Sequence, residues 1–177
     1  AQWLVPYGPN AQIFPRLQEP GVETILGTDG NGRDIFSRLM TGATVSLPLA
    51  LMLVIAAMLI GTLIGALAGY FGGWVDETLM RITDLCMAFP TVFLAMVVAA
   101  SLGPSLCNAV IAAIVVAWPQ YSRVTRSIVR GLRGQNYGIA GRLLGHSPLR
   151  TLFVDILPNI AGPVLVLATL DIGAAIL

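Results

Sequence analysis

Between Arg38 and Asp76 the chain carries no charged side chain. Roughly 20 apolar residues already span the hydrocarbon of a bilayer, so this run holds one full span, expected over 44–70. A second uncharged stretch runs from Leu85 to Ser122. It is too long for one span and is punctuated by Gly103-Pro104, which gives two, over 85–102 and 105–122. A last apolar run begins near Ile156 and gives a further span over 156–177. Composition agrees: 56% of the residues are hydrophobic and 11% charged, against about 25% charged in an ordinary soluble domain. The expected fold class is therefore all-α, a polytopic membrane protein, and the sequence reads as a piece of a longer chain.

Small residues and prolines mark these spans. Gly61, Gly65 and Gly69 recur every four residues, a spacing that lets two helix backbones approach closely in lipid; glycine is also simply common in membrane helices. Each span carries a proline: Pro48, Pro90, Pro119 and Pro163. Prolines survive in lipid where neighbouring helices or a water-lined cavity satisfy the freed carbonyls. Bent helices around a pathway are one reading of this pattern, and ordinary tolerance of proline is the other.

Residues 1–33 are polar and rich in proline and glycine, an extended surface segment. A short amphipathic helix is expected over 34–40, with Asp34 at the positive end of its dipole. Together they form an external segment, 1–43, ahead of a transmembrane domain, 44–177. Orientation follows from the arginines. The loops at 71–84 and 123–155 lie on one side and hold seven; three precede the first span. The seven-arginine side is expected to be cytoplasmic.

Several functions lose support at once. The chain has no lysine, and a phosphate-binding loop needs one to reach the phosphates, so ATP-driven work would need a partner. A net charge of +1 gives no field for nucleic acid. Cys86 and Cys107 lack metal or disulfide spacing and read as small apolar residues. Asp29-Gly30-Asn31-Gly32 has the start of a calcium loop, but Met40 stands where the twelfth-position glutamate belongs, so it reads as a turn. His146 has no partner at metal-ligand spacing and reads as a solvated loop residue. No nucleophile-elbow grouping appears. No cofactor is expected.

The stretch from Tyr121 to Asn159 carries six arginines. Asn136 can cap a helix from Tyr137 to Leu144, and Gly145 suits its C-terminal stop. Ser147-Pro148 is a second start signal, with Ser as N-cap and Pro in the first turn. Ile139 and Leu143 share a face joined by Ala140. Small and apolar residues on a loop helix suit a groove on another protein, with Arg142 and Arg150 meeting carboxylates at its rim. An interfacial helix lying on anionic lipid explains the same residues about as well.

The sequence resembles the second permease of dipeptide, oligopeptide and nickel ABC importers. The matching residues are Leu26-Gly27-Thr28-Asp29 with Gly32-Arg33-Asp34 and Ser37-Arg38; Gly69 to Asp76; Arg81 with Asp84; Ala88-Phe89-Pro90; Trp118-Pro119 with Tyr121 and Arg123; Gly145 with Ser147; and Leu157-Pro158-Asn159. The resemblance implies a fragment of a six-helix, type I ABC importer transmembrane domain in the bacterial inner membrane. It implies a second homologous permease, ABC ATPase subunits and an external substrate-binding protein as partners, beside membrane lipid. It makes the loop carrying Tyr137, Ile139, Ala140, Gly141, Arg142, Leu143, Gly145 and Ser147 the ATPase-coupling loop. The family's motif glutamate is replaced by Ile139, which leaves weakened coupling, an unusual ATPase and a degenerate copy open.

Asp171 lies about fourteen residues, or roughly 20 Å, into the last apolar run. An ionisable group at that depth marks a polar interior or a pathway. A pathway-lining role toward a cationic substrate group is one reading, and interhelical hydrogen bonding is the other. The alternative to a driven permease is an ATP-independent channel or secondary transporter. That class usually shows inverted repeats and several buried charges, whereas here no repeat appears and Asp171 stands alone.

Overall fold

The computed structural model describes residues 5–133 and 145–176. These form five helices, α1 (Ile35–Phe71), α2 (Gly73–Ala88), α3 (Thr91–Leu102), α4 (Leu106–Arg133) and α5 (Pro148–Ile176). The chain divides into two compact units, Ala1–Ala50 and Leu51–Leu177.

In the N-terminal unit an irregular segment is tied together by backbone and side-chain hydrogen bonds. Phe14 N donates to Gly32 O at 3.3 Å, Leu17 N to Asp29 O at 3.2 Å and Thr28 N to Gln18 O at 3.1 Å. Gly27 and Gly32 both have positive φ, 76° and 75°, a conformation that costs glycine nothing. A Cβ on either would also strike a backbone carbonyl, of Gln18 and of Phe14. Asp34 caps α1: its Oδ2 accepts from Ser37 N at 2.8 Å and from Ser37 Oγ at 2.6 Å. Such a cap satisfies N–H groups that the first helical turn leaves free. The short helix expected over 34–40 is not a separate element. Its residues are the first turns of α1, which runs on through Pro48 to Phe71.

In the second unit α1, α4 and α5 share two apolar clusters. Ala66 and Tyr70 meet Val129, Leu152, Ile156 and Ile160 in one; Val54 and Ala57 meet Tyr121, Val164 and Ala168 in the other. The glycines lie along the α1–α4 seam. A Cβ on Gly65 would stand 2.9 Å from Thr125 Cβ, and one on Gly69 would stand 2.8 Å from Arg126 O. Real Cβ atoms are not found so close, so at these points α1 presents bare backbone to α4.

The segment expected as a single span over 85–102 is divided. α2 ends at Ala88, Phe89 turns to extended backbone, and α3 leaves at 91° to α2. Pro90 explains the break, because the residue before a proline is driven out of helical backbone. α3 has no buried residue and shows Val92, Phe93, Met96 and Val97 on its surface, as α5 shows Leu165, Val166 and Leu170. Two helices, α1 and α5, are each long and apolar enough to cross a membrane, and the bent α2–α3 pair together makes a third candidate. α5 opens with Ser147 as its N-cap and Pro148 in its first turn. It passes through a π-helical stretch, Thr151–Ile156, and continues past Pro163 to Ile176.

Candidate translocation cleft and coupling surface

α1, α2, α3, α4 and α5 border a cleft of about 680 Å³. Its lining is mostly Ala, Val, Leu and Met, with four polar side chains from three helices: Thr91 of α3, Gln120 and Tyr121 of α4 and Asp171 of α5. No arginine or histidine lines it among the described residues, and Asp171 takes part in no ion pair among them. Tyr121 is 1% exposed. Its hydroxyl is buried without a hydrogen-bond partner, and Asp171 lines the same cleft. Ala168, Asp171 and Ala175 are spaced three and four apart, on one face of α5. Ala168 packs beside Tyr121, which brings the next position of that face toward the same ring. Sequence reasoning singled out Asp171 by its depth in an apolar run. Tyr121 gave no comparable signal, since a tyrosine near the end of an apolar run is ordinary.

At the basic end of α4, arginines meet the acids of α2. Arg126 pairs with Asp76 in a two-pronged contact, Nε toward Oδ1 and Nη2 to Oδ2 at 2.6 Å. Arg123 Nη2 lies 2.6 Å from Asp84 Oδ1. The hydrogen bonds from Arg126 hold the Asp76 carboxyl below the usual carboxylate range, against a smaller opposing effect of burial; the charges of Arg126 and Arg130 add to the lowering. Arg133 reaches Phe71 O at 3.4 Å, so the end of α1 as well as α2 is tied to the basic half of α4.

The corner leading into α5 is also knit. Gly145 has φ 74°, the left-handed conformation expected of a helix stop. Ser147 Oγ accepts from Arg150 N at 3.4 Å. His146 is not a solvated loop residue: its Nδ1 lies 3.0 Å from Asp155 Oδ2, and both side chains are largely covered. The two stand nine positions apart, which no helical spacing brings together; the corner at Gly145 folds one onto the other. Asn159 Nδ2 donates to Asp155 O at 2.7 Å, so Asn159 steadies the π-helical stretch, while Pro158 sits within the turn that follows it. Tyr137, Ile139, Ala140, Gly141, Arg142 and Leu143 lie outside the described residues.

In the N-terminal unit the signature residues form one turn around Asp29. Its carboxylate accepts from Asn31 N at 2.8 Å, Arg33 N at 3.0 Å and Arg33 Nε at 2.9 Å, and it meets Arg38 Nη1. The Arg33 backbone N–H leads the groups that hold this carboxyl far below its usual range, with Asn31 N–H and the two guanidiniums adding to it. With every carboxylate lone pair directed at a donor of its own loop, Asp29 organises a turn. Thr28 Oγ1 donates to Pro15 O and accepts from Gln18 N, both at 2.7 Å. No cluster of three or more His, Cys, Asp or Glu side chains placed to hold a metal ion occurs among the described residues.

Residues 61–177, more than half of the chain, match the family model described as the binding-protein-dependent transport system inner membrane component. The chain belongs to this family, and its all-α fold is that of a type I ABC importer transmembrane domain. Among curated relatives, it is 44% identical to the dipeptide transport system permease protein DppC of Alkalihalophilus pseudofirmus, over 92% of this chain and 53% of that protein. It is 43% identical to the nickel transport system permease protein NikC of Escherichia coli, over 98% of this chain and 63% of that one. It is 42% identical to the dipeptide transport system permease protein DppC of Escherichia coli, over 100% of this chain and 61% of that one. The chain thus spans between about half and two thirds of the length of these relatives.

Proposed function

We propose that this chain is part of a permease subunit that forms half of the translocation pore of an ATP-driven importer, working on peptides, nickel or similar small solutes. Its relatives are named for dipeptide and for nickel transport. The observation that carries the reading is the placement of the cleft with Asp171: its polar groups all fall inside the stretch matched by the transport family. An otherwise apolar membrane segment retains an ionisable side chain at such depth where function needs it. A second homologous permease supplies the other half of the pore, and an external binding protein delivers the solute. ATP is hydrolysed on separate ATPase subunits, which the lysine-free sequence agrees with.

Coupling runs through the loop that holds Tyr137, Ile139, Ala140, Gly141, Arg142, Leu143, Gly145 and Ser147. Leu143 and Ile139 form its docking face, so the substitution of the family's glutamate by Ile139 makes the contact more apolar without removing it. The test is co-purification from native membranes of the full-length protein with its neighbours. The wild type is expected to bring down an ATPase bearing a phosphate-binding loop. Leu143→Glu, which places a charge on the docking face, is expected to lower that recovery at least about tenfold, the equivalent of about 1.4 kcal/mol. A wild type that recruits no ATPase overturns the proposal.

A further inference from the structure

We infer that Asp171, Tyr121 and Gln120 form a recognition point within the cleft for a cationic group of the passing solute, a protonated amine or a metal dication. The inference rests on the importer reading and adds the chemistry that the pathway selects.

The argument starts from an imbalance. A carboxylate in an apolar surround is costly unless a cation or hydrogen-bond donors meet it. Elsewhere in this unit the acids are met: Asp76 by Arg126, Asp84 by Arg123, Asp155 by His146. Asp171 has no such partner among the described residues, although the cleft it lines is otherwise apolar. A second observation points to the same place. The Tyr121 hydroxyl is buried in the same cleft as Asp171 and has no partner within hydrogen-bond distance. A buried hydroxyl left unpaired is destabilising, and a polar ligand that enters the cleft beside it relieves that cost. Gln120, on the neighbouring position of α4, lines the same cleft and carries an amide oxygen able to accept.

An ammonium group fits this set well. It has three donors and no acceptor, against a carboxylate, a phenol oxygen and an amide oxygen. A divalent cation prefers the same all-oxygen set when it keeps part of its water shell. A substrate carboxylate or phosphate would be repelled. Charge is thus the discriminating feature, and the apolar walls leave side chains of the solute unselected.

The test uses the full-length permease with its second permease, ATPases and binding protein, reconstituted in proteoliposomes. The probes are labelled alanyl-alanine with a free amino terminus and, in a parallel arm, radioactive Ni²⁺. The wild type is expected to accumulate one of them in an ATP-dependent manner, and the arm that responds identifies an amine or a metal as the source of the cation. Asp171→Asn keeps the shape but loses the charge and exchanges one acceptor oxygen for a donor. It is expected to lower the maximal uptake rate at least about tenfold and leave the half-saturating concentration, set by the binding protein, within about twofold. Asp171→Glu is expected to restore at least half of the rate. Tyr121→Phe is expected to reduce the rate by about three- to tenfold. Basal ATP hydrolysis and the recovery of both permeases serve as the control on folding. Asn transporting like the wild type, or Asn and Glu failing equally, overturns the inference and leaves the importer reading intact. So does loss of the second permease from the Asn complex, which would make Asp171 a subunit contact. A wild type that accumulates neither probe overturns both.

Discussion

At the scale of single residues, several of the chain's few charges meet in ion pairs, and Asp76, paired with Arg126, is the least exposed side chain among them. The two side chains are 14% and 30% exposed, so the pair lies between an exposed pair, worth about 0–1 kcal/mol, and a fully buried one whose disruption costs about 3–5 kcal/mol. Asp76→Asn is expected to cost about 1–3 kcal/mol, read as a fall in the melting temperature of the detergent-solubilised protein. The pH dependence has a definite sign. The folded state holds the Asp76 carboxyl below its ordinary value of 3.8, so the stabilisation is fully present above that value and is lost as pH falls through the lowered one. Between neutral pH and about 5 the pair contributes a constant amount; in more acid solution the wild type should lose stability that the Asn variant has already lost. Melting curves that stay parallel for both proteins down through this acid range would contradict the assignment. None of this pairing was legible beforehand. The sequence shows acids on 71–84 and arginines on 123–155, but fifty positions separate Asp76 from Arg126, and nothing in periodicity says which acid meets which base.

At the scale of elements, the α1–α4 seam makes a test in which one substitution has two signs. Gly65→Ala gains helix propensity of about 1 kcal/mol but drives a methyl group into Thr125 and the Ser122 carbonyl. Forcing atoms into a packed seam costs about 1–3 kcal/mol, so the net effect is expected to be a loss. Gly162→Ala in α5 meets nothing within 4 Å and is expected to be neutral or stabilising. Thermal unfolding of the two variants side by side decides the matter, and equal shifts would mean that the seam is slack. The four-residue spacing of Gly61, Gly65 and Gly69 was readable because it is a helical period. The start of α5 was readable because Ser147 and Pro148 are adjacent and each has a local reason to sit there. The break between α2 and α3 was not, since Pro90 in an apolar run serves equally as a tolerated bend or as a boundary, and only the packing of α2 and α3 on α4 selects the boundary. His146 was misjudged for a related reason: its partner comes from beyond a glycine corner, outside any helical repeat.

At the scale of the whole molecule, arginine asymmetry predicts the topology. Cysteine is introduced at exposed Ser105, in the turn between α3 and α4, or at exposed Ser127, near the basic end of α4, with Cys86 and Cys107 first replaced by alanine. In intact cells a membrane-impermeant maleimide is expected to label position 105 strongly. Position 127 should label at least about tenfold more slowly until the membrane is permeabilised, as follows from the positive-inside rule. Reversed labelling would place the basic loop outside and remove the ATPase-docking reading with it. If the topology holds, the continuous path of α5 from the Gly145 corner to the cleft acquires a mechanical meaning. The same helix begins at the Gly145 corner and carries Asp171 near its far end, roughly 35 Å away at 1.5 Å per residue. The π-helical stretch Thr151–Ile156 and Pro163 are the points at which this helix can bend, so a push delivered at the corner would pass through two defined joints. On the proposed reading it would reach the carboxylate as displacement, making α5 a jointed lever with its handle at the coupling loop and its working tip at the cleft.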